Sequence, residues 1–263
     1  MENSKFQNPK SKIKLGIFDL TDCEGCELQF LSAKSEIEKI LTQVDICECR
    51  LLNDEATGDR LDIALVEGTP LNKPDIDKLY EIREKSDKLI AFGTCAATGG
   101  IASGLSAKKR LKYAKKIYKS SYKLKVPEVL PISHYVKVDL IIPGCPVDPI
   151  MTAQLLYNAI NTGWLELKNY PVCQECKANG NTCLLVDGKP CLGPITTAGC
   201  NSTCPNSGFG CLGCLGLWNE ANIEQFFRVL NDKKFSKERI EQLISFYLKN
   251  DEAIIRSLRS FHG

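Results

Sequence analysis

Short apolar runs alternate with stretches of helical spacing over the first 160 or so residues. Residues 14–20 (KLGIFDL) form an apolar run with one glycine, which predicts a buried strand. Leu28, Leu31, Ile37, Ile40 and Leu41 then recur at helical intervals and predict one helix over 28–41. Residues 44–52 predict a second strand, and 61–66 (LDIALV), closed by Gly68, a third. Pro74 suits a helix start, with Ile76, Leu79, Tyr80 and Ile82 roughly on one side. Residues 88–92 predict a fourth strand, 108–118 a basic helix, 139–142 a fifth strand stopped by Pro143-Gly144, and 148–160 a further helix. Strands interleaved with helices argue for the α/β class and a doubly wound parallel sheet. Three helical stripes end the chain: Ile223, Phe226, Phe227, Leu230; then Ile240, Leu243, Ile244, Tyr247; then Ile254, Ile255, Leu258. They read as packing faces.

Composition changes the picture in one respect. With 263 residues, 43% hydrophobic and 25% charged, the chain can build an ordinary core. The net charge is +2, from 34 basic and 32 acidic residues, so nothing in the electrostatics favours nucleic acid or a membrane surface. No apolar run approaches the roughly 18 residues of a membrane span. The opening MENSKFQNPKSK is polar, without a signal-type apolar stretch or a twin-arginine pair, which predicts a cytoplasmic protein. Against this ordinary background stand 14 cysteines and only 2 histidines. Disulfides belong to secreted, mostly small domains, so metal or redox chemistry with thiolate ligands is the better expectation.

The placement of the cysteines carries that expectation further. Cys23 and Cys26 follow the first predicted strand, Cys95 the fourth and Cys145 the fifth. In an open parallel sheet the loops after the strand carboxyl ends gather at one edge, where ligands bind. Four thiols spread over more than 120 residues of sequence are thereby expected to meet, and four thiolates suit zinc or an iron–sulfur cluster. Their loops are Asp22-Cys23-Glu24-Gly25-Cys26, Gly93-Thr94-Cys95-Ala96-Ala97-Thr98-Gly99-Gly100 and Pro143-Gly144-Cys145-Pro146. Small residues let the backbone approach a bulky cofactor and turn N–H groups toward it, which favours a cluster. Cys47 and Cys49, on one face of the second strand, have no partner pair nearby in sequence and read as non-ligand thiols.

Eight of the 14 cysteines fall between Cys173 and Cys214, in a stretch dense in glycine and proline. The change in composition places a domain boundary near 163–170 and divides the chain into 1–165 and 166–263. Eight thiols make two sites of four. Sequence order gives Cys173, Cys176, Cys183, Cys191 and then Cys200, Cys204, Cys211, Cys214, although clustered ferredoxin runs exchange ligands between sites. The spacing departs from the bacterial ferredoxin run, and only Cys200-x3-Cys204-Pro205 resembles its tail. The competing reading is a pair of structural zinc ribbons built on the C-x2-C pairs at Cys173/Cys176 and Cys211/Cys214. It leaves four intervening cysteines and the N-terminal quartet unexplained.

A C-x2-C after the first strand, a Gly-Thr-Cys-Ala loop, a Pro-Gly-Cys-Pro loop and a terminal cysteine block, in that order, resemble the small subunit of nickel–iron hydrogenases. The resemblance runs from about Lys12 to Gly216 and is closest to the cytosolic type, the delta subunit of archaeal sulfhydrogenases and the small subunit of the methyl-viologen-reducing hydrogenases. It implies a flavodoxin-like domain followed by a loop-rich iron–sulfur domain with terminal helices. It also implies a proximal [4Fe-4S] cluster on Cys23, Cys26, Cys95 and Cys145, with distal and medial clusters in the second domain. Carried onto the sequence-order partition, the distal ligands are Cys173, Cys176, Cys183 and Cys191, and the medial ligands Cys200, Cys204, Cys211 and Cys214. Cys173 stands where the periplasmic enzymes have a distal histidine, and Cys204 offers a fourth ligand where their medial cluster has three. The resemblance therefore implies three [4Fe-4S] clusters, passing electrons singly between a nickel–iron centre on a separate large subunit and a downstream flavoprotein or iron–sulfur subunit. No catalytic residue is expected on this chain, and alone it is expected to have little hydrogen activity.

Two other readings share these motifs. The cluster-bearing subunit of complex I-like oxidoreductases resembles the first domain, but it carries adjacent cysteines in the first loop and lacks the terminal block. A hydrogen-sensing module would share the ligands and differ in turnover. Glu24 reads as a solvent-facing loop carboxylate, His134 as a packed or surface side chain, and His262 as part of a frayed tail.

Overall fold

The computed structural model describes residues 12–52, 58, 60–118, 127–162 and 167–262. The polar N-terminal segment, apart from Lys12, lies outside them, as do residues 163–166 of the expected boundary and the side chain of His262. In chain order the elements are β1 (Ile13–Asp19), α1 (Gly25–Ser32), α2 (Lys34–Leu41), β2 (Val44–Cys49), β3 (Leu61–Glu67), α3 (Lys73–Lys85), β4 (Ser86–Phe92) and α4 (Gly93–Thr98). There follow α5 (Ala107–Ile117), β5 (Leu140–Ile142), α6 (Pro149–Thr162), α7 (Val172–Ala178), α8 (Thr203–Asn206), α9 (Ile223–Asp232), α10 (Lys237–Ile244) and α11 (Glu252–His262). No helix among the described residues is long and apolar enough to cross a membrane.

The five strands form one parallel sheet in the order β2-β1-β3-β4-β5. That is the flavodoxin-like doubly wound order, with its switch point between β1 and β3. The central strand β3 is buried on both faces. Leu15, Ile17, Ile63, Leu65, Ile90 and Phe92 pack under α1, α2 and α6 on one face. Phe18, Leu61, Ala64, Val66 and Leu89 pack with Leu79 and Ile82 of α3 on the other. A separate apolar cluster joins α9, α10 and α11 to Val172, Leu192 and Ile195 of the cysteine-rich half.

Two local expectations change. The helix expected over 28–41 is two helices, broken at Ala33, whose N–H bonds Phe30 O instead of continuing the α pattern. The break lets both Phe30 and Ile37 reach the core on the sheet, while Leu28 turns outward at 55% exposure. Cys47 and Cys49 do not share a face either. A register shift opposite Leu15/Gly16 skips Cys47, so that Cys49 joins the α1/α6 side and Cys47 the α3 side. An extra residue at a bulge breaks the two-residue alternation on which the expectation rested.

β5 is short and is held by the residue before it. Asp139 accepts hydrogen bonds from Leu89 N–H (2.9 Å) and Arg83 Nη1 (2.6 Å), and pairs with Lys137 (3.2 Å). Burial works against its charge, but these donors outweigh it and hold the carboxyl below its ordinary value of 3.8. Its contribution is therefore complete above that value and is lost as pH falls through the lower folded one. Asp139→Asn is expected to lower stability by about 1–2 kcal/mol at neutral pH. Anaerobic denaturant unfolding at a series of pH values checks this: the gap between the two proteins should close only below about pH 4.

Candidate metal centre

The sheet brings Cys23, Cys26, Cys95 and Cys145 to one edge because each follows the carboxyl end of a strand: β1 for the first two, β4 and β5 for the others. The first loop turns at Glu24, which has left-handed backbone (φ 59°) and an ion pair to Arg50. Asp22 Oδ1 accepts the Glu24 N–H at 3.0 Å, while its Oδ2 is buried without a hydrogen-bond partner. Burial, then the charge of Glu67, lifts the Asp22 carboxyl to about 7. Glu67, the last residue of β3, is 2% exposed and accepts the N–H groups of Cys26 (3.0 Å) and Glu27 (2.8 Å). It thereby satisfies the orphan donors at the start of α1 and fixes where Cys26 points.

Thr94 ties the other loops together. Its N–H donates to Gly144 O (2.9 Å), its Oγ1 accepts Gly144 N–H (3.1 Å), and its hydroxyl donates to Cys214 O (2.7 Å). One side chain thus links the Cys95 loop, the Cys145 loop and the last cysteine of the terminal block. Gly93 beside it has φ +83°, and a Cβ there would collide with Cys26 Sγ. The backbone has to be bare where the loops close on the thiols.

The four thiols feel one another. Burial pushes Cys95 up to about 12, and the neighbouring charges of Cys145 and Cys23 add to it, followed by Glu67 and Asp22. Cys26 is raised by burial and then by Glu67. Cys26 and Cys95 therefore resist ionising unless a cation joins them, so occupancy would release protons.

In the cysteine-rich half, α7 carries Cys173 and Cys176, one turn apart. Burial pushes Cys173 up to about 12, with Cys191, Cys176 and Cys183 as its charged neighbours. Gly193 lies against this group: a Cβ there would stand 3.3 Å from Cys173 Sγ and 3.4 Å from Cys191 Sγ. Burial likewise pushes Cys214 up to about 12, with Cys200, Cys204 and Cys145 around it. Cys211 is 6% exposed, between Cys191 and Cys214. None of these twelve cysteines is in a disulfide. Among the described residues, no three His, Cys, Asp or Glu side chains converge tightly enough to hold a single metal ion.

Two contacts join the groups. Thr94 Oγ1 bridges Gly144 N–H and Cys214 O, and the Cys211 N–H donates to Cys191 Sγ at 3.2 Å. Glu175, between Cys173 and Cys176, is 7% exposed and accepts from Gly199 N–H (3.0 Å), Ser202 N–H (3.1 Å) and Lys168 Nζ (2.9 Å). It holds both flanks of Cys200 to α7. Cys47 and Cys49 stay outside these groups; Cys49 Sγ donates to Glu27 Oε1 at 2.9 Å. His134 is exposed, with its ring edge-on to Tyr135.

Sequence reasoning does not single out Glu67, Thr94 or Glu175. A weak signal exists for each: a charged residue ending a strand that is otherwise mostly apolar, a hydroxyl beside a cysteine, and a carboxylate inside a C-x2-C.

Residues 23–159 match the family model described as NADH ubiquinone oxidoreductase, 20 Kd subunit. The chain is 35% identical over 250 residues to the sulfhydrogenase 2 delta subunit of Pyrococcus furiosus, covering 95% of this chain and 99% of that one. It is 33% identical to a subunit of the F420-non-reducing hydrogenase vhu of Methanocaldococcus jannaschii, covering 78% and 82%. Among solved structures it resembles a chain of an NAD+-reducing [NiFe]-hydrogenase in the H2-reduced state, with 26% identity, a TM-score of 0.50 and coverage of 57% and 92%. Sheet order, thiol placement and these relatives agree: the chain belongs to the family of iron–sulfur small subunits of nickel–iron hydrogenases, of the type found in sulfhydrogenases and F420-non-reducing hydrogenases.

Proposed function

We propose that this chain carries electrons for a nickel–iron hydrogenase through three [4Fe-4S] clusters. It would link a nickel–iron centre on a separate large subunit to a downstream flavoprotein or iron–sulfur subunit. The observation that carries the reading is the set of twelve thiols in adjoining groups, with Thr94 Oγ1 bridging Gly144 N–H and Cys214 O, and Cys211 N–H on Cys191 Sγ, at the junctions. Cys23, Cys26, Cys95 and Cys145 would hold the proximal cluster, and Cys200, Cys204, Cys211 and Cys214 the medial one. Cys173, Cys176, Cys183 and Cys191 would hold the distal one. The same reading divides the chain into 1–165 and 166–263, and puts it in the cytoplasm, where thiols stay reduced.

The residues fit such groups. The backbone is bare at Gly93 and Gly193 where the thiols converge. The Cys211 N–H points at Cys191 Sγ, at 3.2 Å. When bound, iron–sulfur clusters supply reversible one-electron transfer. The protein's part is to bury Cys26, Cys191 and Cys211, to exclude water, and to balance the sulfur charge with amide donors. Glu67 and Asp22 keep carboxyl groups beside the first thiols, where negative charge disfavours an added electron.

Iron, acid-labile sulfide, zinc and nickel in the anaerobically purified protein test the reading. Three cubanes require about twelve irons per chain. Zinc with little iron would overturn it. Full iron without a nickel-bearing partner would favour the complex I-like use that the family match over 23–159 also covers.

A further inference from the structure

Six of the 34 basic residues and none of the 32 acidic ones fall in the 11 residues of α5, so the remainder of the chain carries a net charge of −4. Lys108, Lys109, Lys112, Lys115 and Lys116 are all exposed. At 3.6 residues per turn they share an arc of about 120° and a length of about 12 Å. Arg110, Leu111 and Ala114, each partly buried, lie on the opposite side. Arg110 is bound to the protein itself: its guanidinium donates to Ala102 O (3.4 Å) and Pro127 O, and lies 4.0 Å from Glu128. Among the described residues, no carboxylate forms an ion pair with any of the five lysines. Lys112 stands one turn from both Lys108 and Lys116, and like charges at that spacing destabilise a helix.

The helix has a firm foot all the same. Ser106 caps it by accepting the Lys109 N–H, and Glu128 accepts the Ala107 N–H at 3.0 Å. The single 3-10 turn before it, Ile101–Gly104, adjoins the Cys95 loop, since a Cβ on Gly100 would stand 2.7 Å from Cys95 Sγ. Lys249 Nζ donates to Ser103 O (2.6 Å), and Ser245 O closes against Gly104, where a Cβ would come within 2.7 Å of it. The turn that carries α5 is thus fastened between the first thiol loops and the segment after α10. A row of mutually repelling cations on a fixed support, without an acid of its own, breaks a local rule for no gain within the chain.

We propose that the lysine face of α5 is a docking surface for an acidic electron-carrier protein, the downstream redox partner of this chain. That the partner is acidic follows from α5; that it carries electrons rests on the function proposed above. Each encounter would pass one electron between the thiol-held groups and the carrier's own centre, one being oxidised as the other is reduced. Lysine ammonium groups are compact and strongly hydrated, which suits steering a partner in and releasing it. Tyr113 and Ile117, 51% and 76% exposed, flank the lysines and offer it apolar contact. A membrane surface fits less well, because an interfacial helix turns its apolar face to the lipid, and Leu111 and Ala114 face the protein. A nucleic acid would meet a chain that is net negative outside α5.

The test compares the anaerobically purified wild-type complex with a Lys108→Glu/Lys112→Glu/Lys115→Glu variant. A Lys233→Glu/Lys234→Glu/Lys237→Glu variant changes the total charge equally at exposed positions elsewhere. The probe is an acidic ferredoxin-type iron–sulfur protein, its binding followed by fluorescence anisotropy and its hydrogen-dependent reduction by absorbance. Methyl viologen, a small cation that needs no docking surface, is the reference acceptor. The α5 variant should bind and reduce the carrier about tenfold less well at low salt, with viologen reduction unchanged. The control variant should match wild type, and added salt should bring wild type down toward the α5 variant. Equal carrier binding by wild type and the α5 variant overturns the inference. So does an equal loss in both variants, which would reflect total charge and not α5. Loss of the nickel-bearing subunit or of viologen reduction from the α5 variant also overturns it, because α5 would then serve assembly. Lysine-dependent binding to phosphatidylserine vesicles, with carrier binding unaffected, overturns it in favour of a membrane. A wild-type complex without iron would overturn the functional proposal beneath it, while carrier binding would still decide the docking surface.

Discussion

Gly93→Ala is expected to prevent the first group of thiols from loading, lowering bound iron by about a third, or about four of twelve. Gly93 is the first residue of α4, directly after β4, and every geometric demand of the site meets there. Its φ of +83° is unfavourable for any residue with a Cβ, costing roughly 1–2 kcal/mol. The added methyl would also collide with Cys26 Sγ, and Cys26 cannot retreat, because Glu67 holds its N–H and its side chain is packed in the buried core. Overpacking of this kind costs about 1–3 kcal/mol. Gly180→Ala separates the two effects, since Gly180 has φ +72° and nothing within 4 Å of the new Cβ. It should keep full iron and lose only a little thermal stability. A Gly93→Ala protein that retains its full iron would show that Cys26 does not face the centre as described.

The fold and the thiols were legible for one reason: both are written in residue type and short-range spacing. β1, β3 and β4 each hold a run of four or more buried, mostly apolar residues, as a parallel sheet buried on both faces requires. Fourteen cysteines against two histidines stand out by composition alone. What stayed hidden depends on contacts far apart in sequence. Glu67 ends a strand as many polar residues do, and only the arrival of α1 from 40 residues away makes it a cap. Thr94 and Cys214 are 120 residues apart. The bulge at Cys47 and the break at Ala33 were illegible for a related reason, because each is set by what the neighbouring core accepts.

Glu175→Ala is expected to strip iron from both cysteine groups of the second half, up to two-thirds of the total if the proposed partition holds. The carboxylate sits between Cys173 and Cys176 and reaches across to both flanks of Cys200. Its removal leaves the N–H groups of Gly199 and Ser202 without their acceptor, at about 1–3 kcal/mol each, or about 2–6 kcal/mol together. The ion pair with Lys168 adds little, since that side chain is 49% exposed and can turn to water. Lys168→Ala should therefore change bound iron negligibly and stability by less than about 1 kcal/mol. Glu175→Gln keeps one acceptor oxygen but turns an NH2 toward the other amide, so its loss should fall between the two. The order Lys168→Ala, Glu175→Gln, Glu175→Ala, in iron per chain and in thermal midpoint, is what a backbone anchor predicts. A role resting on charge alone would make Lys168→Ala and Glu175→Gln comparable. Equal iron in all three variants would mean that α7 and the Cys200 loop are held in place by packing around Val172 and Leu192 instead.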